Sequence, residues 1–263
     1  MIMKSKLPDN RSEYIYPLVV LVGIMLFFIP TASLLLQNAY TGYVPPRLIP
    51  AATGQDIITL FISPILLLLI KYRKKDHSPA IIIGILIYSI YVYSLYAFAA
   101  LYNYYFLFYI TIIGLSFYSI IVIYRSIDKE YALKKNENKM INVLTGSYLI
   151  SIGIIIALLW IYFILRAVIS HIPVPGINSV YVLDLTIILP AFIISGIQLL
   201  QRKYQSYINI EIVLVFIIIL GISILSGFIL SFMQGFAIGI GQCVMFTLFT
   251  VIGLLLYKLN YYY

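Results

Sequence analysis

Apolar residues in this chain fall in long runs, and the polar residues are gathered into short segments between them. A hydrocarbon core of roughly 30 Å takes about 20 residues of α-helix to cross. Cut at that length, the runs predict eight membrane helices, over residues 17–37, 51–70, 79–101, 104–124, 143–165, 180–200, 208–230 and 235–257. The expected fold class is all-α, a polytopic transmembrane helix bundle.

The lengths of the polar segments repeat. Runs one and two are separated by a long segment, 38–50, while runs three and four turn within Tyr102 and Asn103. Runs five and six are again separated by a long segment, 166–179, and runs seven and eight turn within 231–234. The longest segment, 125–142, is rich in Lys and Asn and reads as a linker, in part an interfacial helix. The predicted organisation is a first four-helix half over 1–124, a cytoplasmic linker over 125–142 and a second four-helix half over 143–263.

Short sequence elements echo the same division. The first half has Tyr43-Val-Pro-Pro, then Gly54-Gln55-Asp56, Pro64 and a basic exit at Lys71, Arg73 and Lys74. The second has His171-Ile-Pro-Val-Pro, then Leu183-Asp184, Pro190 and a basic exit at Arg202 and Lys203. Four crossings per half make such repeats parallel, related by an axis along the membrane normal. The alternative is coincidence, because basic exits and proline are common in membrane helices.

Composition supports the membrane assignment. With 63% apolar residues, 10% charged residues and a mean hydropathy of +1.04, the chain is far from a soluble domain, whose charged fraction is about 25%. Eight crossings put both termini on one side, and 15 of the 17 Lys and Arg residues fall on that side. By the positive-inside bias the termini are cytoplasmic and the protein is a multi-pass protein of the cell membrane, in contact with membrane lipids. The net charge of +8 therefore marks topology and implies no nucleic-acid partner. The first run is long for a secretory signal, carries Pro30 and lacks a small-x-small cleavage site, so it reads as an uncleaved helix. The single cysteine, Cys243, lies within an apolar run, and no Walker A loop or Gly-rich nucleotide fingerprint occurs. No cofactor is expected, and any energy from ATP would come through a partner.

Five charges break the pattern: Arg47, Asp56, Arg166, Asp184 and Glu211. A charge at bilayer depth costs roughly 2.5–3.5 kcal/mol on the most lenient scale, so each needs a reason. The apolar stretch 57–70 spans only ~21 Å, which draws Gly54, Gln55 and Asp56 below the outer surface and predicts non-helical backbone over 50–53. Asp184 lies 18 residues before Arg202, at about the same level. A net-neutral cluster of two Asp and two Arg at this depth would hold a polar ligand or ion. The structural alternative is that Asp56 caps the second helix and Asp184 caps the sixth or pairs with Arg166. Glu211 lies near the cytoplasmic rim, within snorkelling reach of Lys203 or Arg202.

The third run carries Tyr88, Tyr91, Tyr93 and Tyr96 around the bilayer centre, where interface anchoring does not explain them. Their hydroxyls need partners, which predicts an interior helix. Ser89, Tyr93 and Tyr96 share one face, and either line a passage or bond to neighbouring helices. Gly235 and Gly239 give the eighth run a GxxxG face, a weak dimer signal that leaves the oligomeric state open, and Gln198 and Gln242 read as interhelical glue. His171 falls on the outer side with Asp184, but no motif supplies a nucleophile. His77 falls on the opposite side, so the two histidines share no metal site and metal chemistry is not expected.

At Gly54-Gln55-Asp56, at Asn103-Tyr-Tyr-Phe106-Leu107-Phe-Tyr109 and at Leu183-Asp184 followed by Pro190, the chain resembles a group of uncharacterised prokaryotic multi-pass membrane proteins. Similar GQD, N-x-x-FLxY and LDLxxxxP elements recur there, and Tyr91-Val92-Tyr93 departs from the Tyr-Asn-Tyr of that group. The resemblance implies no activity. The residues themselves point to a small-solute or ion transporter or channel-like protein, with an outward polar site between helices two and six. Its candidate ligand-binding residues are Asp56, Asp184, Gln55, Arg47, Arg166, Tyr93 and Tyr96. An enzyme acting on a lipid or isoprenoid, with Asp and Tyr in acid–base roles, and an accessory subunit of a membrane complex are the alternatives.

Overall fold

Inside a bilayer no water is available to the backbone, so an apolar run satisfies its N–H and C=O groups by coiling into a helix. A computed structural model of the protein describes residues 15–36, 39–72, 77–99, 101–127, 138–171 and 178–262. Among them are eight helices long and apolar enough to cross a membrane. They are α1 (Tyr16–Leu36), α2 (Ile49–Lys71), α3 (Ser78–Phe98), α4 (Phe106–Ser126), α5 (Lys139–Ser170), α6 (Asn178–Leu200), α7 (Tyr204–Met233) and α8 (Ile240–Tyr262). The protein is an all-α, multi-pass bundle. Most of the predicted linker and the second Pro-rich loop lie outside the described residues.

Two local expectations are corrected. The backbone over 50–53 is helical: a 3-10 turn, Pro46–Leu48, leads directly into α2. Pro50 occupies the first turn of α2, where a missing N–H leaves no bond unmade and a fixed φ favours entry into the helix. The GxxxG face is also absent. Gly235, at φ +76°, ends α7 in the left-handed conformation, with Phe236 N–H donating to Ser231 O at 3.0 Å. Gly235 and Gly239 therefore lie in the connection that precedes α8, and Gln242 is an exposed residue of the first turn of α8 rather than mid-membrane glue.

The helices differ in how deeply they are enclosed. In its most apolar window α3 is 72% buried, whereas α8 is 17% buried, so α3 is the central pillar and α8 a peripheral helix. Consecutive helices pack as the pairs α1–α2, α3–α4, α5–α6 and α7–α8. Within the first four, α1 also meets α4 and α2 meets α3; within the last four, α5 also meets α8 and α6 meets α7. The two sets thus have matching neighbour relations. They join through α7, which packs on both α2 and α3, and through the start of α6 against α3.

The α2–α7 crossing is the closest part of that junction. A Cβ added to Gly54 would stand 2.5 Å from the backbone N of Gly227, and one added to Gly227 would stand 2.9 Å from Ala51 Cα. Glycine at both positions lets the two backbones touch, in keeping with small residues at membrane helix crossings. That contact lies two residues from Asp56 in sequence and fixes the depth of the first candidate site.

Candidate functional site

Asp56 is the eighth residue of α2, so it caps nothing, and it is only 2% exposed. Its Oδ2 accepts a 2.6 Å hydrogen bond from the Tyr40 hydroxyl. Tyr40 comes from the connection between α1 and α2, where Tyr43 and Val44 both donate backbone N–H bonds to its carbonyl. Burial pushes the Tyr40 phenol well above its ordinary range, and the neighbouring Asp56 charge adds to the effect, so Tyr40 keeps its proton and serves as the donor.

Three more tyrosines close around this pair. The rings of Tyr40 and Tyr96 lie 5.6 Å apart, Tyr93 and Tyr96 5.8 Å, Tyr93 and Tyr109 5.4 Å, and Tyr96 and Tyr109 5.5 Å. Asn103, in the short turn after α3, donates to Ala39 O at 2.8 Å and to the Tyr109 hydroxyl at 3.0 Å, pinning the first connection onto the cluster. The Tyr96 hydroxyl donates to Gln55 Oε1 at 3.1 Å, and the Tyr88 hydroxyl donates to Ser223 Oγ at 3.1 Å. The Tyr93 hydroxyl is buried without a hydrogen-bond partner among the described residues, and the Ser33 hydroxyl lies beside Asp56.

Asp184 is held differently. It opens a π-helical segment, Asp184–Ile188, inside α6, in which Leu189 N–H donates back to Asp184 O. Pro190 accounts for the bulge: it has no N–H to give, and its ring crowds the carbonyl one turn earlier, so the ladder accommodates an extra residue. The side chain is 8% exposed and uses both oxygens. Tyr91 of α3 donates its hydroxyl to Oδ1 at 2.9 Å, and Trp160 of α5 donates its indole N–H to Oδ2 at 2.8 Å. Trp160 meets Tyr181 edge to face, with ring centroids 4.9 Å apart.

The arginines stay apart from the aspartates. Both Arg47 and Arg166 are exposed, and among the described residues neither pairs with Asp56 or Asp184. The expected four-charge cluster therefore does not form; each carboxylate is met by neutral phenol or indole donors instead. His171 is an exposed residue in the left-handed conformation at the end of α5, clear of any triad geometry.

Two hollows open beside these groups, on the side of the bundle that carries the α1–α2 connection. One, of about 230 Å³, lies between the start of α2, the end of α3, α5 and the start of α6. Gln55, Tyr96, Trp160 and Tyr181 supply its polar and aromatic wall, and aliphatic side chains such as Leu95 and Val180 supply the rest. The other, of about 580 Å³, lies between α2, α7 and the start of α8 and is bordered by Arg47 and Gln242. Leu48, Ala51 and Gln55 line both hollows. Neither carboxylate lines either one; Asp184 sits behind Trp160 of the smaller, and Asp56 sits further back, behind Tyr96 and Tyr40.

At the opposite end of the bundle Glu211 is 4% exposed and pairs with His77 Nδ1 at 2.7 Å. The sequence pointed to Lys203 or Arg202 as its partner. His77 reaches it because α3 packs along α7, bringing the start of one helix to the first turns of the other. The Tyr261 ring stacks on His77 at 4.3 Å.

Of the seven candidate ligand-binding residues, Gln55, Tyr96 and Arg47 line a hollow, Asp184 lies one side chain behind one, Asp56 lies deeper behind Tyr96 and Tyr40, Tyr93 is buried in the tyrosine cluster and Arg166 is on the surface. Sequence reasoning missed Tyr40 and Trp160. Trp160 is the only tryptophan in the chain, and that rarity was the one signal available for it. Compared with known families, with characterised proteins and with solved structures, the chain matches none.

Proposed function

We propose that this multi-pass membrane protein binds a small solute in the 230 Å³ hollow between α2, α3, α5 and α6, as the outward-side site of a transporter or channel-like protein. The observation that carries the reading is the hollow itself. It lies towards one end of the bundle where the two four-helix sets meet, and repeat interfaces are where repeat-built transporters hold their substrates. Its wall combines aliphatic side chains with a few convergent polar groups, the usual composition of a small-molecule site, and it is smaller than the ~300–1,000 Å³ of drug-sized pockets. The distribution of basic residues supports an outward orientation of this side.

Ala52 lines the hollow and is 8% exposed, so Ala52→Phe fills it from a rigid helix. Native mass spectrometry of the purified protein is expected to show a small co-purified species that Ala52→Phe abolishes while the variant stays monodisperse. A species retained in full by the variant, or none in either protein, would count against this site.

A further inference from the structure

We propose that the solute is a small lipophilic cation, an amine or quaternary ammonium, whose charge is answered by Asp184 and Asp56 across an aromatic wall. This rests on the solute reading above and names its chemical class.

The wall of the smaller hollow suits such a ligand on its own. Trp160, Tyr181 and Tyr96 reach it from α5, α6 and α3, and aromatic rings attract a cation most strongly where water is excluded. The remaining surface is largely aliphatic, which disfavours a strongly hydrated solute such as a bare metal cation or a sugar dense in hydroxyls.

What lies behind the wall adds a sign. Trp160 is part of the hollow and also the donor to Asp184 Oδ2 at 2.8 Å, so the indole links ligand space to carboxylate. Tyr96 is part of the hollow and also stacks on Tyr40, the donor to Asp56. Neither aspartate has a cationic partner among the described residues, and the two arginines of this side are exposed. A carboxylate at membrane depth without a countercharge is costly; a proton, hydrogen-bond donors or a nearby cation each relieve it, and a cation in the hollow would add to the donors already present. A cation held in the hollow would stand one indole away from Asp184. An anion would be repelled from the hollow, and a neutral solute would gain nothing from the carboxylates. Opposite unit charges ~8 Å apart at an effective dielectric of ~20 change a binding constant roughly thirtyfold.

The test uses phenyltrimethylammonium and its uncharged isostere tert-butylbenzene, titrated into the full-length protein in lipid nanodiscs. Trp160, the only tryptophan, reports binding at the wall through its emission. The cation is expected to give a saturable change at a concentration at least roughly tenfold below that of the isostere. Asp184→Asn is expected to erase most of that preference with little effect on the isostere. The asparagine can still accept from Trp160 while donating its amide to Tyr91, so the packing survives. Asp56→Asn gives a second, independent variant with the same expected direction. Equal affinity for the two probes in the unmodified protein, or tighter binding of the isostere, would overturn the cation assignment and leave the solute site standing. Absence of saturable binding by either probe, or binding that Ala52→Phe leaves unchanged, would overturn both.

Discussion

Asp56 and Asp184 occupy the second helix of each four-helix set, and both are withdrawn from solvent, yet their surroundings are built on different plans. Asp56 stands in a regular stretch of α2, holds one donor from its own connection, Tyr40, and depends for its depth on a backbone-to-backbone crossing with α7. Asp184 stands at the head of a π-bulge in α6 and holds two donors, Tyr91 and Trp160, from helices of opposite halves. The one close donor, Tyr40, comes from the adjoining connection and makes the first site local. Two donors from separate halves make the second a tie across the molecule, with Tyr91 the one bond that joins α3 directly to the Asp184 carboxylate.

The largest effect expected from breaking this contrast is at Gly54. Gly54→Val places side-chain atoms where Gly227 backbone now lies, and a loss of about 3 kcal/mol or more is expected, read as a collapse of the thermal transition in detergent. A variant with an unchanged transition would show that the crossing does not set the depth of Asp56. Next is Tyr40→Phe, which removes the closest donor to the buried Asp56 carboxyl and is expected to cost about 2 kcal/mol, because it leaves a buried acceptor underbonded. Tyr91→Phe leaves Trp160 in place and is expected to cost less, about 0.6–1 kcal/mol, the range of ordinary interhelical bonds in membranes. The order of these two denaturation midpoints is the direct test of one donor against two, and a reversed order would refute it.

A smaller and more selective effect is expected from Pro190→Ala. With an N–H restored at 190, the extra residue of the π-segment loses its cause, and Asp184 turns away from the indole. Trp160 emission should shift, whereas Asp56→Asn should leave it unmoved; a shift in both would mean that the sites are not separate. The smallest effect concerns pH. The folded protein holds the Tyr40 proton more tightly than the unfolded chain, so its contribution is present below the ordinary phenol value of about 10 and is lost as pH rises above it. Alkaline denaturation should therefore be shallower in Tyr40→Phe than in the unmodified protein.

Much of the architecture was legible because lipid leaves few options: a run of about 20 apolar residues has to coil, so eight runs gave eight helices. The interior position of α3 followed from tyrosines too deep to be interface anchors. The failures share a physical origin. Pro50 looked like a break because apolar length alone was counted, and the tolerance of the first helical turn for proline was not. Gly235 looked like a packing face because GxxxG spacing does not reveal φ, and at φ +76° this glycine ends a helix instead. The partners of the carboxylates were beyond reach for a different reason. Opposite charge suggested arginine, but phenol and indole donors met the aspartates, and Trp160 comes to Asp184 through the packing of α5 on α6, which no local pattern encodes.

Gln55 faces both hollows, and with Leu48 and Ala51 it forms one strip along the start of α2. The partition between a 230 Å³ chamber and a 580 Å³ chamber is thus a single layer of side chains, latched by the bond from Tyr96. Side-chain rotations run on picosecond to nanosecond timescales where they are free, against microseconds to milliseconds for helix displacement. A change of rotamer at Gln55, which needs only the bond from Tyr96 to break, is therefore the smallest movement that alters the wall shared by the two hollows.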